Sequence, residues 1–233
     1  MRRRPTALAS LLCLAALLAS CDRLPGRPVE AERYKRPSEV LDFESLYAAH
    51  CSGCHGAEGR LGPSRPLADP VYLSLVDAER VRKIVSEGIP GMSMPAFARS
   101  RGGTLTDAQV KVISEGIFAR WAAAAPADLP PYAAPHGDPE SGAHAYTTFC
   151  AECHGADGSG GAHGGSVVDP NFLALVSDQM LRTTVIAGRP DLGMPDWREV
   201  SKQRAMSPQE ISDVVAWMAA KRVAPPPTPL DAP

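Results

Sequence analysis

Aromatic residues make up only 6% of the 233 residues, and no apolar run after the first twenty approaches the length that spans a bilayer. Basic stripes, a basic arm and aromatic residues interleaved with basic ones are missing too, which argues against nucleic acid as a partner. Glycine and proline, by contrast, number 20 and 23. Cores built from this sequence must be small, or must take apolar bulk from something that is not protein. Cysteine is sparing at six. Cys13 and Cys21 lie near the N-terminus, and the other four form two close pairs, Cys51/Cys54 and Cys150/Cys153, with none left over.

The N-terminus begins with the positive stretch MRRR, continues with an apolar run too short to cross a membrane, and ends in Leu18-Ala19-Ser20-Cys21 before an abrupt polar turn. This resembles the lipobox of bacterial lipoproteins, which implies a signal peptide at 1–20, cleavage before Cys21 and lipid on its sulfur. A plain secretory signal and an uncleaved anchor are the alternative readings. Removing residues 1–20 takes away three arginines, so the formal net charge moves from -2 to -5. Export places the rest in an oxidising compartment. Asp22 after the cysteine resembles an inner-membrane retention signal of enteric bacteria. It implies the periplasmic face of the inner membrane, with the outer membrane as the alternative.

The remainder is a repeat. AAHCSGCHGAEG at 48–59 matches TFCAECHGADG at 148–158 with its cysteines offset by 99, and DPVYLSLV at 69–76 matches DPNFLALV at 169–176 at 100. VSEGIPGMSMPAF at 85–97 lies over VIAGRPDLGMPDW at 185–197, placing Met94-Pro95 on Met194-Pro195 and Met92 on Leu192. Each half closes with a helix that opens on a capping box, Thr106 with Gln109 and Ser207 with Glu210. Each also opens with a helix, Ser38 or Asp138 serving as its cap and the first cysteine near its end. The chain then divides into a tether at 21–37, units at 38–125 and 138–224, an Ala/Pro-rich stiff connector at 126–137 and a tail at 225–233.

Cys-x-x-Cys-His is the attachment sequence for c-type haem. On a turn of helix, cysteines three apart can each form a thioether with one porphyrin, while the following histidine places a ring nitrogen on the iron. Zinc and disulfides are the competing readings of two CxxC pairs. Neither accounts for His55 and His154 together with a methionine some forty residues after each. Two copies call for two covalently attached haem c groups.

In CSGCHG, CAECHG, MPAF and MPDW each half resembles a small class I cytochrome c domain, and the chain resembles tandem dihaem cytochromes c of bacterial respiratory chains. The resemblance covers about 170 residues. It implies an all-α fold in which the first helix of each unit crosses the last. Cys51, Cys54, His55 and Met94 would hold one haem, and Cys150, Cys153, His154 and Met194 the other, histidine proximal and methionine distal. The family's Gly-Pro pair, whose carbonyl orients the proximal ring, has a counterpart in Gly62-Pro63; the second half has Gly161-Ala162 and then His163, a loop residue. Met92 reads as packing close enough to replace Met94. Met180, Met206 and Met218 read as helical core, and His50, His136 and His144 as solvent-facing. At the helix crossing the offsets set Phe43 against Gly116 and Gly142 against Trp217, a swap that keeps volume constant.

His/Met ligation leaves iron no open position and favours electron transfer without a small-molecule substrate. The expected partners are redox proteins, a quinol-oxidising complex as donor and an oxidase or another cytochrome as acceptor, with the membrane reached through the lipid. A dihaem enzyme of peroxidase or thiosulfate-oxidising type, and a fixed subunit of a quinol-oxidising or terminal oxidase complex, are the other classes. Residues 138–224 carry eleven acidic and seven basic side chains against ten and nine in 38–125, so the second unit should meet a basic surface in a salt-sensitive way.

Overall fold

The computed structural model describes residues 33–133 and 135–223, with Gly26 and Val29. The signal peptide 1–20, the lipid site Cys21, most of the tether and the tail 225–233 lie outside the described residues. The chain forms two compact units, residues 1–39 and 40–233. In the first, the described residues make one 3-10 turn, Pro37–Glu39, with the Arg36 guanidinium on the Glu39 carboxylate.

The second unit holds both repeats and, among the described residues, is all-helical with no strand. The first repeat comprises α1 (Phe43–His50), the single turn α2 (Ser52–His55), α3 (Pro70–Leu75), α4 (Ala78–Glu87) and α5 (Asp107–Trp121). The second repeats this order as α6 (Pro139–Phe149), α7 (Ala151–His154), α8 (Pro170–Leu175), α9 (Asp178–Ala187) and α10 (Pro208–Ala219). Side-chain caps set the starts. Asp69 and Asp169 each take two backbone N–H groups ahead of a proline, and Asp77 and Ser177 open α4 and α9. Both expected capping boxes form, at Thr106/Gln109 and Ser207/Glu210. Asp138 caps α6 as expected, but Ser38 does not cap α1. Ser38 lies in the 3-10 turn, and Asp42 takes the Ser45 N–H at 2.9 Å, so α1 starts at Phe43.

Helix α10 crosses α6, α5 packs on α1 and α4, and α9 rests on α3 of the first repeat. Ile113, Ile117, Ile186, Ile211 and Val214 are buried along these contacts, each contributing about 1.5–3 kcal/mol relative to exposure. At the crossings the glycines sit where volume exchange puts them. A Cβ on Gly116 would lie 2.2 Å from the Phe43 ring, and one on Gly142 2.1 Å from the Asp213 carbonyl and 2.8 Å from the Trp217 Cβ. The bulk missing at Gly116 is restored five residues later: Trp121 packs edge-on against Phe43 and Tyr47, while Trp217 stacks on Tyr146 at 4.2 Å. Met180 and Met218 lie in helices, whereas Met206 precedes α10 in an extended segment and is buried, its N–H on the Trp197 carbonyl.

Among its described residues the connector has no helix or strand, and it is held by side chains. Buried Arg182 donates to the Pro131 carbonyl at 3.0 Å and to Ser212 at 2.9 Å, Gln179 donates to the Tyr132 carbonyl, and the Arg80 guanidinium covers the Tyr132 ring. Tertiary contacts therefore anchor it to side chains of both repeats.

The α10 capping box makes the second repeat acid-sensitive. Hydrogen bonding from Arg204 holds the Glu210 carboxyl down from its ordinary 4.5 to about 2. A depressed carboxyl contributes stability that is present above its unfolded value and lost as pH falls through the folded one. Between about pH 4.5 and 2, wild type should lose stability that Glu210→Gln already lacks; thermal unfolding of both across that range checks this.

Candidate haem sites

Helix α1 ends at His50, Cys51 bonds its N–H to the Tyr47 carbonyl, and one further turn carries Ser52–His55. That turn places Cys51, Cys54 and His55 together, and α6 and α7 do the same for Cys150, Cys153 and His154. Tyr47 Oη donates to the Gly56 carbonyl at 2.9 Å and Tyr146 Oη to the Gly155 carbonyl at 2.6 Å, tying each motif back to its helix. Tyr47 and Tyr146 stand at helical spacing from the first cysteines and at the same offset of 99, but nothing in that spacing gives their hydroxyls this bond.

Each histidine is oriented through the backbone. His55 Nδ1 lies 2.7 Å from the Arg65 carbonyl and His154 Nδ1 2.8 Å from the Gly165 carbonyl. A carbonyl only accepts, so the proton sits on Nδ1 and the Nε2 lone pair is free for a metal. Burial lowers the His55 pKa, which favours the neutral ring a ligand needs. The expected acceptor at Gly62-Pro63 is therefore corrected to Arg65, held extended by the following Pro66. Gly165 is its counterpart at offset 100. Gly62 and Gly161 serve a different need, since a Cβ there would sit 2.3 and 2.5 Å from the Cys54 and Cys153 carbonyls.

The cysteines do not suit the competing readings. Neither pair is a disulfide, and among the described residues no cluster of three or more His, Cys, Asp or Glu side chains could hold a metal ion. Burial pushes the Cys51 thiol up to about 11 and the Cys150 thiol to about 12, opposite to the depressed values of redox-active CxxC pairs.

The methionine loops return from α4 and α9 through Gly88 and Gly188, at φ of +68° and +70°. A side chain at either would meet the Met-Pro backbone, 2.7 Å from the Met94 carbonyl or 2.4 Å from the Pro195 carbonyl. Ile89 and Arg189 donate their N–H groups to the Met94 and Met194 carbonyls at 3.0 and 2.9 Å. In the first repeat, His55, Cys51, Cys54, Met92 and Met94 line one cavity of about 230 Å³, more than the ~150 Å³ that holds a benzene. Leu175, Met180 and Thr183 of the second repeat complete its wall. His50 also lines it, edge-on to Phe97, and so is not the solvent-facing residue expected; His136, His144 and His163 are exposed.

Whether these residues fit haem c is tested by a charge. Arg65 is 6% exposed and lines the cavity, yet its Nε and Nη1 have no partner in the protein. Its Nη2 donates to Thr184 of the second repeat at 2.6 Å, and its guanidinium lies over the Tyr72 ring. Two buried nitrogens without hydrogen-bond partners, on a residue of the cavity wall, are costly unless an acceptor enters with the occupant. Haem brings carboxylates on an apolar ring, so the lining fits. Cys51 and Cys54 would bond it, His55 and Met94 would bracket its iron, and the bound group would supply a one-electron couple.

The two sites touch. Arg189 pairs with Asp191, whose carboxylate also takes the Leu61 N–H at 3.0 Å, and Arg189 Nη2 donates to the Gly62 carbonyl at 3.0 Å. Leu61 sits at φ +61°, a conformation costing a bulky residue about 1–2 kcal/mol and maintained here by that contact. The loop carrying Met194 is thus fastened to the loop that orients His55.

The family profile described as "Cytochrome C oxidase, cbb3-type, subunit III" matches residues 38–115 and 137–218. The chain is 40% identical over 67 residues to the dihydro-heme d1 dehydrogenase of Pseudomonas aeruginosa, covering 29% of this chain and 13% of that protein. It is 30% identical over 137 residues to the cbb3-type cytochrome c oxidase subunit CcoP of Rubrivivax gelatinosus, covering 58% of this chain and 40% of that one. It therefore spans less than half the length of either relative. A chain of the Kuenenia stuttgartiensis reducing HAO-like protein complex aligns over 82% of this chain and all of its own, at 16% identity and a TM-score of 0.47. Among the described residues no helix is long and apolar enough to cross a membrane.

Proposed function

The chain belongs to the cbb3-type cytochrome c oxidase subunit III family, and from that membership we propose a dihaem cytochrome c that relays single electrons between respiratory-chain proteins on the periplasmic side of a membrane. One observation carries the reading: both repeats present a Cys-x-x-Cys-His turn whose histidine is held through Nδ1 on a carbonyl, and in the first repeat that histidine shares a cavity with Met94. His55 with Met94, and His154 with Met194, would hold the two irons, and a haem held by both donors would have no open position for a substrate, which supports a carrier over an enzyme.

The contacts between the Met194 loop and the His55 side support a relay inside one rigid assembly, with no need for the halves to swing. Donor and acceptor are a quinol-oxidising complex and an oxidase or second cytochrome, by analogy with the oxidase subunit that the chain resembles. Lipid on Cys21 would confine the relay to the membrane surface, raising its effective concentration there.

Low-temperature EPR and absorption of the oxidised and reduced holoprotein test this. The expected result is two haems per chain, both low-spin and both with the methionine-to-iron charge-transfer band. One high-spin or bis-histidine haem would turn the reading to a dihaem enzyme.

A further inference from the structure

We infer that Met92 is a second thioether donor for the iron of the first repeat, placed to take the distal position when Met94 is lost. The inference rests on the His/Met reading above and starts from a difference between two loops that otherwise match.

Both loops close in the same way. Met92 and Leu192 donate their N–H groups to the Ile89 and Arg189 carbonyls at 3.0 and 2.8 Å, and the Met94 and Met194 carbonyls take the N–H groups of the same two residues. They differ in where the left-handed residue falls. In the first loop it is Gly91, at φ +73°, which with Pro90 before it makes a type II turn ahead of Met92. In the second, Pro190–Leu192 is a 3-10 turn and the left-handed residue, Gly193 at φ +85°, comes after Leu192. Moving that residue from one side to the other reverses the direction in which the intervening side chain leaves the chain. Leu192 is 63% exposed, whereas Met92 is half-buried and lines the cavity with Met94 and His55.

The loops also differ in freedom. Asp191 is fastened by Arg189 and the Leu61 N–H, its side chain 3% exposed. Gly91, which replaces it in the first repeat, has nothing within 4 Å of where a Cβ would lie. The first loop can therefore turn about Gly91 to present either sulfur. A methionine side chain has three rotatable bonds and the same soft donor atom, so exchange changes neither ligand type nor charge. Oxidation of Met94 by a peroxide, which transfers one oxygen atom to its sulfur and is itself reduced to water or an alcohol, would remove one thioether and leave the other available to the iron.

The test reads spin state in the intact holoprotein of wild type, Met92→Ala, Met94→Ala and the double variant, with Met94→Leu as a volume-keeping second choice. Met92→Ala should match wild type. Met94→Ala, or Met94→Leu, should show no high-spin ferric haem, and the double variant should show one of its two haems high-spin. Adding Gly91→Asp to Met94→Ala should also convert one haem to high-spin although Met92 is still present, because the turn then resembles the second repeat. High-spin haem in Met94→Ala and Met94→Leu alone would overturn the inference and leave the His/Met reading intact. A wild type with only one methionine-ligated haem, unaltered by Met94→Ala, would overturn that reading as well.

Discussion

Replacing Gly142 with phenylalanine is expected to prevent the second repeat from closing. A Cβ at this position would lie 2.1 Å from the Asp213 carbonyl oxygen and 2.7 Å from its carbon, contacts with backbone that no rotamer change relieves. Alanine already separates the effects. Removing a helical glycine stabilises by about 1 kcal/mol, while overpacking a close crossing costs about 1–3 kcal/mol. Gly142→Ala should come out destabilised by about 0–2 kcal/mol on balance, and the phenylalanine variant by more than ~3 kcal/mol, a large part of the ~5–15 kcal/mol that holds a domain. Gly116 provides the control. Its nearest neighbour is the Phe43 ring, so Gly116→Ala should be largely rescued by Phe43→Ala. Trp217→Ala should not rescue Gly142→Ala, because the limiting contact there is the Asp213 backbone. Thermal unfolding of the holoproteins checks both cycles. A Gly142→Phe protein that melts within a few degrees of wild type would mean that α6 and α10 do not cross at this point.

The second large effect is electrostatic. Arg65→Leu should lower the midpoint potential of the haem in the first repeat and leave the other unchanged. Arg65 is a buried cation on the wall of that cavity, and its counterpart Gly165 carries no charge. A nearby cation disfavours the ferric state, and it also offsets carboxylates that would favour it, so both consequences of its removal have the same sign. At an effective dielectric of about 20, a buried unit charge is worth roughly 1–2 kcal/mol to a neighbouring site, or tens of millivolts at ~59 mV per tenfold for one electron. A spectroscopically resolved redox titration of wild type, Arg65→Leu and Arg65→Lys measures it. The lysine variant, which keeps the charge, should retain most of the difference. If both haems shifted together, Arg65 would be acting through its bond to Thr184 and the contact between repeats, and the electrostatic account would fail.

Burial sharpens this asymmetry. The cavity of the first repeat is walled in part by Leu175, Met180 and Thr183 of the second. His154, by contrast, leans on an exposed glycine carbonyl. An iron bound in the first repeat would be walled by both repeats, which would favour its ferrous state, so an electron entering a chain loaded with two haems should come to rest there.

Local chemistry was legible in the residues themselves. The repeat, the two Cys-x-x-Cys-His turns, the helix caps at Asp138, Thr106 and Ser207 and the glycine crossings all follow from short-range spacing, because a helix turn or a capping box needs only three or four neighbouring residues. Even the crossing partners Phe43 with Gly116 and Gly142 with Trp217 could be paired, since a repeat supplies two solutions to one packing problem. The Arg65 carbonyl escaped that reading because the linker after the motif is one residue longer in the second repeat, which hides its equivalence to Gly165. What joins the halves was not legible at all. Asp191 on the Leu61 N–H, Arg189 on the Gly62 carbonyl and Arg65 on Thr184 each link residues more than a hundred positions apart, and none recurs at the equivalent positions, where Gly91 and Gly165 stand for Asp191 and Arg65. A sequence specifies what each segment does with its own neighbours; which surfaces of two similar domains meet, and so which haem site is closed off by the other, depends on long-range packing that only the tertiary structure decides.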